Sequence, residues 1–286
     1  MPYIITDDAR RFLDGLPDNS IDLLLTDPPF YGIVKEAWDR QWRTPEQFVE
    51  WLVDIFQVAR AKLRDTGSLV FFGGIGRHGQ HPLLQVVTRL EASYRFRNWI
   101  TWGKKRAYGK NNDYLFCREE ILWLTCSDQF TFNVPYLDEK RGYSGYNPKY
   151  PAKSEYKRVT NVWSDITELL RPKRPCQKPE KLIARLVATH SNPGDLVVDP
   201  FAGYGTTGIA ALAAGRRFQG CEIIPEDATA ADQRCLSVVT GGCNGTPQQL
   251  ETNNPDARRA EPEALVQEVG ASAESTPSET EPRTQG

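Results

Sequence analysis

The sequence predicts an α/β chain: a parallel sheet covered by helices on both faces. Two observations predict it. Short apolar runs alternate with helix-period segments through the first 244 residues. One of those runs then passes through a glycine-rich turn into a helix of small residues. The chain has 286 residues, 40% of them hydrophobic, which is enough to build one full α/β core. No apolar run approaches the roughly 18 residues of a membrane span. The start, MPYIITDDARRFL, is acidic where a signal peptide needs an apolar stretch, so a cytoplasmic protein is expected. Six scattered cysteines without a CxxC pair disfavour both a zinc ribbon and a disulfide scaffold.

The elements follow in order. Ile21–Leu25 (IDLLL) reads as a buried strand. Phe48, Trp51, Leu52, Ile55, Phe56, Ala59 and Leu63 recur at helical spacing, which predicts an amphipathic helix over 45–63. SLVFF after Gly67 and ILWLT at 121–125 are the next strands. Pro179 suits the first turn of a helix whose buried face carries Leu182, Ile183, Leu186 and Val187. DLVVD (195–199) is a strand, TTGIAALAA a helix ended by Gly215, and RFQGCEI (217–223) the last strand. Residues 126–175 have weak periodicity and many Tyr, Pro, Gly and Lys, so they read as an insertion outside the sheet.

Charge divides the chain further. From Gly245 onward three arginines face eight acids with almost no large apolar residues. Such a segment cannot offset its ordering entropy, so 245–286 is expected to be a disordered acidic tail and 1–244 the folded domain. Residues 95–185 carry 19 bases and 10 acids, with Tyr and Trp interleaved. A phosphate-binding surface has this composition, and so does an ordinary solvated face. Lys104, Lys105 and Arg106 follow the strand-like stretch around Trp99 and Trp102, and they either hold phosphates or are plain solvated charges. His78, His81 and His190 share no metal-ligand spacing and are expected at the surface, and no metal site is expected.

Two motifs carry chemistry. In D199-P-F-A-G-Y-G-T-T207 a strand ends at Asp199 and turns through Gly203 and Gly205 into a helix. Glycines there let a ligand approach the backbone beside a helix N-terminus. Glu222, at the end of the next strand, lies where an acid accepts hydrogen bonds from ribose hydroxyls. There is no GxGxxG and no P-loop Lys, which points to an adenosine-type ligand with little phosphate. A tight βα turn with an unrelated acid downstream fits the same residues. In L25-T-D-P-P-F30 two prolines after a strand remove two backbone donors. Asp27 and the Pro28 carbonyl can then accept both protons of an exocyclic amine, with Phe30 stacked on the base. Holding both hydrogens tilts the nitrogen toward sp3 and frees its lone pair. Alone, the same residues also fit a simple proline turn.

Taken together these motifs resemble the S-adenosylmethionine-dependent amino-methyltransferases of DNA, and more narrowly their permuted β group, in which the catalytic motif precedes the cofactor motif. The resemblance covers almost the whole body. G15-L-P-D-N-S-I-D22 precedes the catalytic residues Asp27, Pro28, Pro29 and Phe30 as it does in that family. Asp8 matches the family's N-terminal cofactor acid, and Gln177 and Lys178 match its QKP segment. Asp199, Phe201, Gly203, Gly205, Thr206, Thr207 and Glu222 match its cofactor site.

The resemblance implies a Rossmann-like, mostly parallel seven-stranded sheet in circularly permuted order, S-adenosyl-L-methionine as cofactor and double-stranded DNA as partner. It leaves room for a homodimer and a cognate restriction endonuclease. It also implies that 126–175 recognises the target, with Lys140, Arg141, Tyr143, Tyr146 and Lys149 prominent; Lys104, Lys105 and Arg106 join them as candidate DNA contacts on charge alone. Phe30 stands where the family more often has Tyr, and both stack. Asp rather than Ser at position 27 favours adenine N6, with base flipping, over cytosine N4. The alternatives are an N4 enzyme and an inactive DNA-binding relative. Pro175-Cys176 resembles the nucleophilic pair of cytosine-C5 enzymes but precedes the cofactor motif, so Cys176 is read as structural.

Overall fold

The structure is a computed structural model that describes residues 2–32, 39–74, 81–109, 111–142, 154–174 and 176–241. The expected tail, 245–286, and Tyr143, Tyr146 and Lys149 lie outside the described residues.

In chain order the elements begin with β1 (Ile4–Thr6), α1 (Ala9–Asp14), β2 (Ile21–Thr26), α2 (Pro45–Lys62), β3 (Leu63–Gly73) and α3 (Pro82–Leu90). Then come β4 (Arg95–Tyr108), β5 (Phe116–Thr125), β6 (Tyr136–Lys140), β7 (Tyr156–Arg158) and β8 (Val162–Trp163). The last are α4 (Glu180–His190), β9 (Leu196–Asp199), α5 (Thr206–Ala213), β10 (Arg217–Glu222) and α6 (Pro225–Val239). The main sheet runs β1-β10-β9-β2-β3-β5-β4-β8. Every neighbour pair in it is parallel except those made by β5, which opposes both β3 and β4.

Alternation of side chains explains why the strands are apolar throughout. Leu24, Leu69, Phe71, Leu122 and Leu124 face a core closed by α1, α2 and α3. Leu23, Leu25, Val70, Phe72, Ile121 and Trp123 face a second core closed by α4, α5 and α6. A strand covered on both faces has no polar side to show. The helices start where the sequence allows. Thr44 caps α2, its hydroxyl accepting from the Gln47 N–H at 3.3 Å, and Pro45 sits in the first turn. Past α5, Gly215 takes φ +73°, the left-handed turn that favours glycine.

The sheet departs from the seven-strand expectation by one short strand. Val162 and Trp163, inside the segment read as lying outside the sheet, pair with Thr101 and Trp102 at the edge of β4. Trp163 is buried there, its indole donating to the Thr160 carbonyl at 2.7 Å. Two residues carry no readable period, and tertiary burial decides their conformation. The neighbouring β6 and β7 form a separate two-stranded ribbon. β3 also begins earlier than SLVFF, directly at the end of α2.

His190 corrects a second expectation. It is not at the surface but buried against the rings of Trp123 (centroids 4.6 Å apart) and Phe132 (5.8 Å). Burial pushes its imidazole down to about 3. The unfolded chain, with an ordinary histidine near about 6.5, therefore binds a proton the folded chain refuses. Stability from this group is complete above about pH 6.5 and is lost as pH falls from there toward 3. The loss approaches about 1.4 kcal/mol per pH unit within that window. His190→Phe, which keeps the aromatic packing, should flatten the decline of the urea midpoint between pH 7 and pH 4.5. An equally steep decline in the variant would assign the acid sensitivity elsewhere.

Candidate active site

Parallel pairing brings the ends of four strands to one edge. Leu23 and Leu24 pair with Val197 and Val198, Gly220 with Asp199, and Thr6 with Glu222. The residues that follow β1, β2, β9 and β10 therefore emerge side by side, where open α/β sheets bind ligands. From β9 the chain proceeds to β10 on one side, while β2 lies on the other with β3 beyond it. The crevice at this switch is a cavity of about 490 Å³.

The cavity brings together most of the residues singled out from sequence. Asp8, Asp27 to Phe30, Gln177, Lys178, Asp199, Phe201, Gly203, Thr206, Thr207 and Glu222 all line it. Asp7, Asp39 and Asp227 add carboxylates, so seven acids face two bases, Arg174 and Lys178. An acid-rich wall of this kind suits a cationic ligand without phosphate. Gly205 is the exception. With φ +77° it caps α5, and a side chain there would approach the Cβ of Ala231 to 3.1 Å. Its role is to turn the chain and admit α6, away from the cavity.

Each carboxylate is held in a definite way. Asp8 caps α1, its Oδ1 accepting from the Arg10 and Arg11 N–H groups at 3.0 and 3.2 Å. Glu222 accepts from the Gly203 N–H through Oε2 and the Ile224 N–H through Oε1, both at 3.0 Å. Gly203, at φ +50°, can present that N–H because it has no side chain to strain. Two backbone bonds leave a carboxylate further acceptor sites, which two vicinal hydroxyls can use. Asp199 is buried, and its Oδ1 accepts from the Thr26 hydroxyl at 2.6 Å and the Phe201 N–H at 3.0 Å. Burial pushes its carboxyl up to about 6, against the pull of those donors.

The D-P-P-F turn holds the most tightly coupled charges of the cavity. Lys178 donates to Asp27 Oδ2 and, at 3.3 Å, to the Cys176 carbonyl. The same ammonium forms an ion pair at 3.3 Å with Glu119 Oε2, and Lys104 pairs with the other Glu119 oxygen. Lys178 is 5% exposed and lies 5.5 Å from the Phe30 ring centroid and 4.9 Å from that of Phe72. Burial raises the Asp27 carboxyl, the Lys178 charge opposes that rise, and Glu119 adds to it, with a net shift upward. For Glu119 burial also acts upward, but Lys178 and Lys104 outweigh it and hold the carboxyl below its ordinary value. Asp27 Oδ1, in contrast, is shut off from solvent and has no hydrogen-bond partner. An acceptor left open in this way calls for a donor from a ligand.

Sequence reasoning missed Glu119, which lies on an antiparallel strand and carries no motif. It also read Lys104 as a phosphate or solvent charge, whereas the structure turns it inward onto Glu119, with its ammonium 5.2 Å from the Trp102 ring centroid. Lys178, matched to the cofactor segment, reaches the carboxylate of Asp27. Of the other DNA-surface candidates, the described ones, Lys105, Arg106, Lys140 and Arg141, do not line the cavity. Glu168 accepts from the Lys105 and Arg106 N–H groups, and Lys140 pairs with Glu155 across the β6–β7 ribbon at 3.0 Å. Arg141 Nε donates to the Tyr156 carbonyl at 3.3 Å.

Fold and site together define a Rossmann-like enzyme whose cavity joins the glycine turn after β9 to the D-P-P-F turn after β2. The chain belongs to the N6/N4 DNA methylase family, whose pattern matches residues 21–233. Among its relatives, the Type II methyltransferase M.BglII of Bacillus subtilis is 31% identical over 241 residues, covering 78% of this chain and 66% of that one. The DNA adenine methyltransferase YhdJ of Escherichia coli is 29% identical over 247 residues, covering 78% and 79%. A DNA modification methylase of Thermus thermophilus, solved in complex with S-adenosyl-L-methionine, is similar in structure. It has a TM-score of 0.58 at 27% identity, covering 82% and 93%. The cytosine-N4-specific PvuII methyltransferase shares the fold with a TM-score of 0.61 at 18% identity, covering 84% and 94%.

Lys178 generates a stability prediction. Lys178→Met leaves Asp27 and Glu119 buried together without their shared cation, which should cost about 3–5 kcal/mol. Urea unfolding measures it, and adding Glu119→Gln should recover part of the loss. A fully stable single variant would show that the two carboxyls are neutral in the folded chain.

Proposed function

We propose that this chain transfers a methyl group from S-adenosyl-L-methionine to the exocyclic N6 of adenine in duplex DNA, acting on a base flipped out of the stack. The observation that carries the reading is the buried, unpartnered Oδ1 of Asp27 in a proline-rigid turn that lines an acid-rich cavity. A stacked base cannot present its amine to such a turn, so the target must leave the duplex.

The cofactor supplies an electrophilic methyl group on a sulfonium sulfur. Glu222 and Asp8 suit its ribose and cationic portions, the turn at Gly203 lets it lie against the backbone, and Phe201 and Ile223 offer apolar walls. Asp27 Oδ1 accepts one hydrogen of the amine, the Pro28 carbonyl accepts the other, and Phe30 packs on the base. An aryl amine is a weak nucleophile because its lone pair is shared with the ring, and holding both hydrogens restores it. Rate comes from orientation and preorganised acceptors. The chain order supports the permuted arrangement, because the catalytic turn follows β2 while the cofactor turn follows β9, its neighbour in the sheet.

Cytosine N4 is the second reading. It is favoured by the shared fold of the PvuII enzyme and by a turn whose acceptors fit either amine. Asp at position 27 and the similarity to YhdJ support adenine. The deciding experiment is digestion of DNA from cells expressing the chain, with nucleosides separated by mass spectrometry. N6-methyladenine is expected. N4-methylcytosine would transfer the assignment to the second reading, and no modified base would leave only a DNA-binding relative.

The mechanism predicts that Asp27→Ala lowers the methyl-transfer rate by about 100-fold or more. Binding of the cofactor, measured by calorimetry, should change little. Wild-type turnover in this variant would remove Asp27 from the chemistry.

A further inference from the structure

We propose that Glu119 is a positioning residue: acting through Lys178, it determines which oxygen of Asp27 is left for the target amine and how strongly that oxygen accepts. The inference rests on the methyl-transfer reading above.

Geometry comes first. An ammonium has three donors and no acceptor. Lys178 faces three acceptors: Asp27 Oδ2, the Cys176 carbonyl at 3.3 Å and Glu119 Oε2 at 3.3 Å. It hydrogen-bonds the first two and meets Glu119 as an ion pair that draws it away from Asp27 Oδ1, which stands without a hydrogen-bond partner, as Glu119 Oε2 also does. Removing the Glu119 charge frees the ammonium to slide toward Asp27 and occupy both oxygens. Glu119 is itself anchored, since Lys104 holds its Oε1. The anchoring follows from register. Trp102 pairs with Glu119 across β4 and β5, and Lys104, two residues on, shares the face of Trp102. Because β5 runs opposite to β3, Glu119 enters the sheet at the edge where Asp27 leaves it.

Electrostatics comes second. Asp27, Glu119, Lys178 and Lys104 form a quartet with no net charge, set in a largely buried place. Lys178 alone would weaken Asp27 as an acceptor, because a cation on one oxygen draws density from the other. Glu119 offsets that cation. The charged or titratable groups that face Asp27 are Lys178 and Cys176 ahead of α4, Glu119 on β5, Lys104 on β4 and Asp199 on β9. Two of them can be changed with opposite effect. Losing Glu119 leaves a net positive surrounding and makes Asp27 more acidic. Losing Lys104 removes a positive charge from those surroundings and makes Asp27 less acidic.

The test compares Glu119→Gln and Lys104→Met with the wild type by the pH dependence of kcat and by cofactor calorimetry. Glu119→Gln should reduce kcat by about ten- to a hundredfold, as loss of outer partners does elsewhere, with cofactor affinity nearly unchanged. The acid limb of its profile should move to lower pH. In Lys104→Met the acid limb should move to higher pH. A residue that only supports the fold would not move the two limbs in opposite directions. On the free protein, 13C-lysine NMR reads the same coupling. The resonance that disappears in Lys178→Arg should titrate at lower pH in Glu119→Gln than in the wild type. Unchanged kcat and profile in Glu119→Gln, or limbs that move the same way, would overturn the proposal. If the wild type transfers no methyl group, the methyl-transfer reading fails by itself. The NMR titration then decides the coupling, and an unmoved Lys178 resonance refutes it.

Discussion

One buried ammonium decides whether the mouth of this cavity can remain charged. Lys178 has almost no contact with solvent, yet it stands between two carboxylates that would otherwise repel each other and take up protons. The chain prepares its position before folding brings the partners. Lys178 precedes Pro179, which biases it toward extended backbone and away from helix. Pro179 then opens α4 at φ −61°. The turn ahead is closed by Gln177, whose side-chain oxygen accepts from the Lys173 N–H at 3.0 Å and whose own N–H donates to the Arg174 carbonyl at 3.3 Å. A rigid entry to the helix thus delivers a flexible side chain to a fixed point.

The acids it serves are gathered by topology. Four parallel strands, β1, β10, β9 and β2, each end in or just before an acid, and their register aligns those ends. Parallel pairing makes this unavoidable, because all four strands point the same way. The same pairing needs crossover helices on both faces, which bury the strands and, at the end of β9, Asp199. Burial is then what lifts Asp199 and Asp27 above ordinary carboxylates. A sheet chosen for packing therefore also sets the acidity of the site.

What was legible in the sequence was local. D-P-P-F, the glycine turn and Q-K-P each sit within a few residues of one another, and each encodes its own backbone shape through Pro or Gly. The major helices and strands near them were legible from period. What was hidden depended on partners distant in sequence. Glu119 has no neighbouring signal, and it matters only because β5 reverses direction beside β3. Lys104 read as a surface charge because its partner was unknown. His190 read as exposed because nothing local reports that Trp123 and Phe132 close over it. The need for glycine at 205 has a cause no local motif reports, the approach of Ala231 from α6.

Cys176 shows how the same network acts on a neighbouring thiol. A C5-type enzyme needs a thiolate, stabilised by a neighbouring cation or helix N-terminus. Lys178 is close enough to act as that cation. Desolvation in the cavity wall nevertheless raises the Cys176 thiol, Asp27 and Glu119 raise it further, and Lys178 opposes them without prevailing. The ammonium is already committed to the carboxylates. What Cys176 contributes instead is its carbonyl, turned onto Lys178 by a backbone at φ +61°, a left-handed conformation unusual for a residue other than glycine. That strain is explained if the position is selected for where its oxygen points. The unpartnered oxygen at Asp27 and the raised thiol at Cys176 then follow from one charge arrangement, in which the carboxylates hold the cation that a nucleophilic cysteine would require.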